Sequence, residues 1–384
     1  MTSRHMTSRI GLALSGGGVR AMIFHAGMLK WLATDGWLES ISAISTVSGG
    51  SLITGLVYRF NDWKWPSSEQ YQNKVFPEIR RLLTTVCLQS EARKLILTRP
   101  SNWRHFFSRA NVLASAISQC WGVNVNVGAL QSNCEWSINA TTAETGRRFR
   151  FKQGRCGDYE TGYAPAGHFA LSEAMAASAA YPLLIGPLRI NASKLQWSKR
   201  ATWGGTTEEE QSISAPFEWL HLMDGGIYDN LGMEPLFDVG KQTPKPGVDF
   251  IIVSDAGAAL TRQPLHAQWS WKRLSRILEI SMDQARALRI RPFINAILEN
   301  PFLGRYYQIG SVAEDALKKF LEDELRTKNN HSWLSRAECL RASHWATDLK
   351  KVSVDEFDLI SRHGFETAKW NEMLFSRKKI NHDS

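Results

Sequence analysis

Residues 10–20, IGLALSGGGVR, and residues 41–50, ISAISTVSGG, decide the fold of this chain. Each stretch begins with a short apolar run, as a buried β-strand does, and ends in glycines. Apolar segments with helical character follow, from Val19 to Thr34 and from Leu52 to Tyr58. This repeated order of strand, glycine turn and helix predicts a parallel sheet that is covered by helices on its faces.

Further strands and helices are predicted downstream. The strands are expected at residues 134–140, 148–152, 217–223 and 250–254. An alanine-rich helix is expected at residues 171–180, before Pro182, and the pattern after about residue 258 is helical. The polar residues 194–214 are expected to form a loop.

The order of these elements predicts one three-layer α/β/α domain with a mainly parallel central sheet. We expect this domain at residues 10–257, and a helical C-terminal extension packed on it at residues 258–384. Residues 1–9 contain the sequence MTSR twice, which is typical of an expression tag. We therefore expect residues 1–9 to be disordered and exclude them from the fold.

The composition limits the partners and the compartment. A net charge of +9 and a pI near 9.3 favour an anionic partner, either nucleic acid or lipid headgroups. No nucleic-acid recognition motif is visible, so no nucleic-acid polymer is expected. The 15 tryptophans include side chains suited to a membrane–water interface.

The five scattered cysteines fit neither a disulfide framework nor a zinc site, and no apolar stretch reaches the roughly 18 residues of a membrane span. We expect a cytoplasmic protein that associates transiently with membrane surfaces.

Ser48 is the candidate nucleophile. It lies between a predicted strand and a predicted helix, where a sharp turn with very small neighbours can present a serine hydroxyl. Gly49 and Gly50 are such neighbours, whereas Thr46 stands where the Gly-x-Ser-x-Gly pattern has glycine. The alternative interpretation is an ordinary glycine-rich turn.

The loop Gly16-Gly17-Gly18 precedes a helix, so its backbone N–H groups can face an anion. The spacing fits neither a phosphate-binding P-loop nor a dinucleotide-binding loop, which favours an oxyanion hole. Arg20 could bind a substrate phosphate near the reacting carbon. The alternative for Arg20 is a buried structural pair.

Asp224 is the candidate base. It follows a predicted strand and is succeeded by two glycines, and the ends of strands are where α/β folds place catalytic side chains. A plain turn is the alternative interpretation of this Asp-Gly-Gly sequence. Asp255, at the end of the next predicted strand, is a rival base.

Together these segments resemble the patatin-like phospholipases. The resemblance extends over residues 10–20, 45–50 and 224–230, with weaker similarity at residues 138–141 and 173–182. All of these segments occur in the order found in the family, across about two thirds of the chain. Thr46 departs from the family pattern, and so does Ala21, although alanine at this place is similar to the cytosolic phospholipases that share the fold.

The resemblance implies a patatin-like fold and a lipid acyl hydrolase of the phospholipase A or lysophospholipase type. Ser48 would attack a phospholipid ester, Asp224 would take its proton, and Gly16, Gly17 and Gly18 would hold the oxyanion. The expected partners are a phospholipid substrate and an anionic membrane surface, with no cofactor and no metal. Some members of the family respond to a regulatory partner or a nucleotide messenger, and the unmatched C-terminal third could provide such control.

Two rival functions remain open from the sequence. A conventional Ser–His–Asp esterase would use a histidine after Asp224, such as His266 or His344. A lipid-binding protein with an inactive site is the second rival, although Ser48, Asp224 and the three glycines are all present.

A membrane-docking segment is predicted at residues 93–109, where basic and aromatic residues alternate. Pro100 interrupts this segment, so one continuous amphipathic helix is not expected. The alternative is a cap whose aromatic side chains pack on the core.

Overall fold

The computed structural model describes residues 8–98, 108–131, 133–200, 209–257, 260, 262–267, 269–320 and 332–378. Of the predicted tag, only Ser8 and Arg9 fall within these ranges. Arg9 forms an ion pair with Asp249 at 2.9 Å, so this residue belongs to the folded domain rather than to the tag.

Twelve of the strands in the described part form one sheet. The strands are β1 (Ile10–Leu14), β2 (Ile41–Val47), β3 (Glu135–Thr142), β4 (Arg148–Phe151), β5 (Arg155–Asp158), β6 (Gly162–Pro165), β7 (Leu188–Asn191), β8 (Trp197–Arg200), β9 (Glu210–Ile213), β10 (Trp219–Asp224), β11 (Phe237–Asp238), β12 (Thr243–Pro244), β13 (Phe250–Asp255) and β14 (Gly304–Gln308). The sheet order is β14-β13-β1-β2-β3-β4-β5-β6-β8-β9, while β10 pairs with β3 and β7, and β11 pairs with β12 in a separate ribbon.

The sheet is parallel from β14 to β3 and antiparallel beyond β3. The parallel strands are the predicted apolar runs, and β1 and β13 are buried along their whole length. Such strands need helices on both faces, because each face consists of apolar side chains. The predicted mainly parallel central sheet with flanking helices is therefore confirmed.

The helices pack around this parallel half. They are α1 (Gly18–Thr34), α2 (Gly49–Phe60), α3 (Ser68–Gln70), α4 (Phe76–Thr85), α5 (Leu88–Thr98), α6 (Ala110–Trp121), α7 (Leu171–Ser178), α8 (Gly226–Asp229), α9 (Trp271–Glu299), α10 (Ala313–Phe320), α11 (Arg336–Ser343) and α12 (Val354–Lys378). A π-helical turn, Tyr71–Val75, joins α3 to α4. Within the described ranges, no helix combines the length and the hydrophobicity that a membrane-spanning segment requires.

The C-terminal portion is mainly helical, as predicted, and α12 lies against the buried helix α1. Gly27 of α1 faces the backbone of Ser361, and Gly364 of α12 faces the backbone of Phe24. A side chain at either glycine would collide with the opposite helix, so the two backbones meet directly. The division of the chain at residue 257 stays a prediction.

One expectation about secondary structure was wrong. The predicted loop at residues 194–214 contains β8 and β9, which end the sheet at one edge. Strands at an edge can be polar, so these two lack the apolar pattern by which a strand is predicted. The helical C-terminal portion also contains one strand that was not predicted, β14, which pairs in parallel with β13. Arg305 of β14 is buried, but Glu372 of α12 pairs with its guanidinium at 2.7 Å, so a charged residue fits inside the sheet.

Candidate active site

The register of β3 brings Ser48 and Asp224 together. Val47, the last residue of β2, pairs with Asn139 of β3. Asp224, the last residue of β10, pairs with Ala140, the next residue of the same strand. β2 runs parallel to β3, whereas β10 runs antiparallel to β3. The C-terminal ends of β2 and β10 therefore meet alongside β3. Ser48, directly after β2, thus reaches the end of β10.

Ser48 occupies a strained turn between β2 and α2. Its backbone has φ 50° and ψ −117°, a conformation that non-glycine residues rarely adopt. A Cβ atom at Gly49 would lie 2.5 Å from the carbonyl oxygen of Gly18, and a Cβ atom at Gly50 would collide with the backbone of Leu14. The two glycines are therefore required by close contacts with the glycine loop and with β1.

A buried network supports the nucleophile turn. Ser48 donates its backbone N–H to the Oγ atom of Ser178 at 2.9 Å, and Ser178 donates to the carbonyl oxygen of Asn139 at 2.6 Å. The Asn139 amide donates to Ser45 Oγ and to the Thr46 carbonyl. Sequence reasoning missed the supporting roles of Ser178 and Asn139, because both act through residues far away along the chain.

The two departures from the family pattern have structural explanations. The Thr46 hydroxyl accepts a hydrogen bond from the Trp136 indole at 2.9 Å and pairs with Ser51 Oγ at 2.8 Å. Cβ atoms built at Gly17 and Gly49 would each lie 3.1 Å from the Ala21 Cβ atom. Thr46 is thus satisfied inside the core, and Ala21 packs between the glycine loop and the nucleophile turn.

Asp224 is a buried carboxylate beside Ser48. Its side chain is almost fully buried, with 2% of the residue exposed. One carboxylate oxygen accepts the Gly226 N–H at 2.7 Å, and the Ser48 side chain also hydrogen-bonds to the carboxylate. Burial raises the pKa of Asp224 to about 6, and the hydrogen bonds from Gly226 and Ser48 oppose that rise. The site therefore holds a hydroxyl and a carboxyl group that titrates near neutral pH.

The glycine loop lies against Ser48, but its three residues differ. Gly16 donates its N–H to the Asn230 carbonyl at 3.1 Å, so this group is not available to an oxyanion. The N–H groups of Gly17 and Gly18 make no hydrogen bond to any described residue. Their φ angles of 139° and 63° turn the backbone into the start of α1. Two of the three predicted donors are thus free.

Asn230 was not assigned a role from the sequence, although it ends the quoted segment 224–230. Its side-chain oxygen lies between the glycine loop and the turn after Asp224: Cβ atoms at Gly16 and Gly226 would lie 2.5 Å and 2.6 Å from it. Together with its carbonyl bond to Gly16, this places Asn230 as a spacer between the two halves of the site.

The contacts of Arg20 favour its alternative role as a buried structural residue. The Arg20 guanidinium donates to the carbonyl oxygens of Ser343 at 3.2 Å, Trp345 at 2.8 Å and Ala256 at 3.1 Å. The residue is 2% exposed, and burial lowers its pKa to about 10. These three bonds to backbone carbonyls favour the structural alternative, although the Arg20 Nε atom has no hydrogen-bond partner among the described residues. Binding of a substrate phosphate by Arg20 stays a prediction.

The segment 343–348 covers the glycine loop. The backbone N–H of Val19 donates to the Asp348 carbonyl at 2.9 Å, and a Cβ atom at Gly18 would lie 2.6 Å from that same oxygen. We call residues 343–348 the strap. The strap thus contacts the glycine loop and the start of α1, and Arg20 donates hydrogen bonds to the strap.

The rival base Asp255 is occupied by other groups. One of its oxygens accepts hydrogen bonds from Arg286 and from the Tyr306 hydroxyl, each at 2.6 Å. Its second oxygen accepts the Gly257 N–H at 2.9 Å. Asp255 therefore anchors α9 and β14 to the end of β13.

No histidine among the described residues hydrogen-bonds to Ser48 or Asp224. His344 pairs with the Leu340 carbonyl at 2.8 Å, and His221 pairs with Glu144 at 2.6 Å. His25 bridges Ser254 and the Ser15 carbonyl inside the core. The geometry therefore gives no support to a Ser–His–Asp triad.

The family model for patatin-like phospholipase matches residues 12–237. The chain belongs to the patatin-like phospholipases. The match includes the glycine loop, Ser48 and Asp224, while the strap and α9 lie outside it. No curated protein sequence matches the chain.

The chain is similar to two solved structures. The human GIVD cytosolic phospholipase A2 aligns with a TM-score of 0.53 at 13% identity, over 98% of this chain and 60% of that chain. VipD from Legionella pneumophila aligns with a TM-score of 0.34 at 12% identity, over 96% of this chain and 67% of that chain. The chain thus spans about three fifths of the length of the human protein, and the likeness concerns the fold.

The predicted docking segment of this patatin-like chain, residues 93–109, falls largely outside the described residues. Its first part belongs to α5, in which Leu95 is buried and Leu97 is 78% exposed. Residues 99–107, which include the aromatic side chains of the predicted docking segment, are outside the described ranges.

The burial of Asp224 predicts that the substitution Asp224→Asn stabilises the fold above pH 6. The native pKa of about 6 lies above the ordinary value of 3.8, so the native state disfavours the charge. The free-energy cost of the buried Asp224 charge is absent below pH 4, grows as pH rises to about 6 and is then constant. Denaturant unfolding at pH 8 should show a gain of about 3 kcal/mol, since one unit of pKa corresponds to about 1.4 kcal/mol.

Asp249→Asn is the matched control, because the exposed Asp249 has a pKa lowered to about 2 by its contacts with Arg9. This control should be neutral or slightly destabilising at pH 8. If Asp224→Asn is less stable than the wild type at pH 8, the burial argument fails.

The contacts of Arg20 predict that the substitution Arg20→Ala loosens the strap. Three carbonyl oxygens would lose a charged donor, two of them in the strap, so unfolding should require about 3 kcal/mol less free energy. Proteolysis within residues 343–348 should also become faster. The exposed Arg81, paired with Glu78, provides the control Arg81→Ala, which should cost less than about 1 kcal/mol. Equal losses of unfolding free energy for both variants would contradict the role of Arg20 in holding the strap.

Proposed function

We propose that the chain is a lipid acyl hydrolase that cleaves carboxylic esters of phospholipids through an acyl-enzyme on Ser48. The observation that carries this proposal is the position of Ser48 beside the buried Asp224 carboxylate, where the pairing of β2 and β10 with β3 brings them together next to the free N–H groups of Gly17 and Gly18. Nucleophile, base and oxyanion donors are the three components that acyl transfer to a serine requires.

In the first half of the reaction, Asp224 takes the proton of Ser48 while Oγ attacks the ester carbonyl carbon. The carbonyl oxygen becomes an oxyanion, and the N–H groups of Gly17 and Gly18 receive it at the N-terminus of α1. When the tetrahedral intermediate collapses, the protonated Asp224 gives its proton to the leaving alkoxide. The products of this half are the acyl-enzyme and the alcohol, a lysophospholipid when the substrate is a diacyl lipid.

In the second half, water replaces the alcohol. Asp224 takes a proton from that water as it attacks the acyl carbon, and the same two N–H groups hold the second oxyanion. Collapse of this intermediate breaks the bond to Oγ, and Asp224 returns the proton to Ser48. The fatty acid leaves, and the dyad regains its starting protonation.

A carboxylate can serve as this base because of its burial. An aspartate with a pKa near 3.8 would be too weak to take a serine proton at useful rates, whereas a pKa of about 6 brings it close to the working pH. The oxyanion donors reduce the demand further, because they stabilise the negative charge that the attack creates.

The dyad predicts that Ser48→Ala and Asp224→Asn each reduce phospholipid hydrolysis by about 10²-fold or more, because each variant lacks a group that acts in the transition state. The measurement is release of labelled fatty acid from phospholipid vesicles. A fluorophosphonate probe should label the wild-type chain at Ser48 and leave Ser48→Ala unlabelled.

His266→Ala and His344→Ala are the controls for this experiment and should stay within a few-fold of wild type. A folded but inactive histidine variant would support the conventional triad instead. A wild-type chain that binds lipid without hydrolysing it or reacting with the probe would indicate an inactive site.

The raised pKa of Asp224 predicts the pH profile. The base must be deprotonated, so kcat/KM should rise about tenfold per pH unit below pH 6 and level off above it. A profile of initial rates on a water-soluble ester between pH 4.5 and pH 8.5, with folding checked by circular dichroism, would show this inflection. A profile that is flat down to pH 5 would contradict Asp224 as the base.

A further inference from the structure

The outward face of α9 is apolar. Trp271 is 72% exposed, Leu274 is 52%, Ile277 is 51% and Leu288 is 64%. At 3.6 residues per turn, these four side chains project within an arc of about 120°. Large apolar side chains are seldom exposed together on one helix face unless that face meets another apolar phase.

Several charged side chains of the same helix pair with the domain, and its apolar side chains are buried only near its C-terminal end, at Phe293, Ala296 and Ile297. Arg276 is only 9% exposed. Arg286 pairs with Asp255 at 2.6 Å, and Arg289 pairs with Glu234 at 3.2 Å. Between Trp271 and Leu288, where Arg276 is the buried residue, α9 thus differs from an ordinary surface helix, which buries its apolar stripe and exposes its charges. Packing against the domain therefore does not account for the outward apolar side chains.

The apolar surface continues beyond the helix. Trp269, just before α9, is 95% exposed, and Leu184 is 64% exposed. Leu184 belongs to a turn in which Tyr181 accepts the Ile185 N–H, and the Tyr181 hydroxyl hydrogen-bonds with Ser275 of α9. We call the set Leu184, Trp269, Trp271, Leu274 and Ile277 the docking face.

The docking face borders the candidate active site. Met282, on the next turns of α9, approaches the turn after Asp224: a Cβ atom at Gly226 would lie 2.8 Å from the Met282 methyl group. The charge of Asp224 also acts on Tyr181, since it helps to raise the pKa of the Tyr181 hydroxyl after burial, the larger cause. A lipid that enters from this side would meet Ser48 and Asp224 within a short distance.

The charges around the docking face favour an anionic lipid surface over a second copy of the chain as its partner. Lys272 and Arg273 lie on α9 beside Trp271, and Lys272 is exposed. Two copies of this face in a symmetric dimer would bring these cations together, whereas an anionic lipid surface would attract them. Tryptophan at the margin of an apolar patch is typical of side chains that enter the headgroup region.

We propose that the docking face and its flanking cations, Lys272 and Arg273, form the surface by which this chain docks on anionic phospholipid membranes. The proposal rests on the proposed function, which identifies the apolar phase as a phospholipid membrane. It differs from the sequence prediction, which placed docking at residues 93–109.

Co-sedimentation with lipid vesicles tests this proposal without relying on hydrolysis. The full chain with Ser48→Ala, which leaves the vesicles intact, would be mixed with phosphatidylcholine vesicles that do or do not contain phosphatidylglycerol, at low and high salt. We expect binding to the anionic vesicles that weakens with salt.

Trp271→Ser combined with Leu274→Ser should weaken this binding about tenfold or more, because each side chain loses its transfer into the apolar phase. Lys272→Glu combined with Arg273→Glu should weaken binding to anionic vesicles by a similar factor and have less effect on phosphatidylcholine alone. Thermal melting would show that these exposed substitutions leave the fold intact.

Leu97→Ser is the matched control, since Leu97 is equally exposed but lies on α5, in the segment first predicted to dock. It should bind like the parent. Unchanged vesicle binding by the Trp271→Ser, Leu274→Ser variant would overturn the proposal, and so would a larger loss for Leu97→Ser. A dimer in light scattering that this double variant dissociates, with vesicle binding unchanged, would show a self-association face instead.

A failure of the proposed function has a different signature from a failure of docking. Hydrolysis that persists in Ser48→Ala, or a wild-type chain without esterase activity, would remove the catalytic proposal while the sedimentation result stands. Normal hydrolysis with vesicle binding that ignores the docking face would remove the docking proposal alone.

Discussion

The site depends on one pairing constraint, the way in which β3 holds two strands end to end. Val47 and Asp224 pair with the adjacent residues Asn139 and Ala140 of that strand. A shift of either strand by one residue would turn its side chains to the other face and separate Ser48 from Asp224. The buried bonds from Ser178 and Asn139 fix this register, because each would lose a partner if a strand moved.

Burial of Asp224 favours its proposed role as the base and opposes the stability of the fold at the same time. The apolar surroundings that raise its pKa to about 6 also disfavour its charged form in the native state. The strained φ of Ser48 adds a second local cost. The surrounding core, which includes fully buried strands β1 and β13, must offset both. A site built in this way is stable only as part of a large, well-packed domain.

The sequence predicted the elements whose signal is local, and it missed those whose meaning lies in distant contacts. The apolar runs before Ser48 and around β13 identified the parallel strands, and the small residues near Ser48 and Asp224 identified the turns. The polar edge strands β8 and β9 lacked an apolar pattern, so a loop was predicted there. Arg20 followed the glycine loop closely enough to suggest substrate binding, but its hydrogen bonds go to carbonyls more than 200 residues away.

Those distant partners connect the C-terminal portion to a site whose proposed catalytic residues all precede it. The glycine loop needs two N–H groups aimed at one point, and glycines alone cannot hold such an arrangement because they are conformationally free. The strap restrains the loop through Asp348, and Arg20 ties the strap to the end of β13. Asp255 ties that same strand end to α9 through Arg286. The end of β13 thus joins the helix proposed to meet the lipid to the loop proposed to hold the oxyanion.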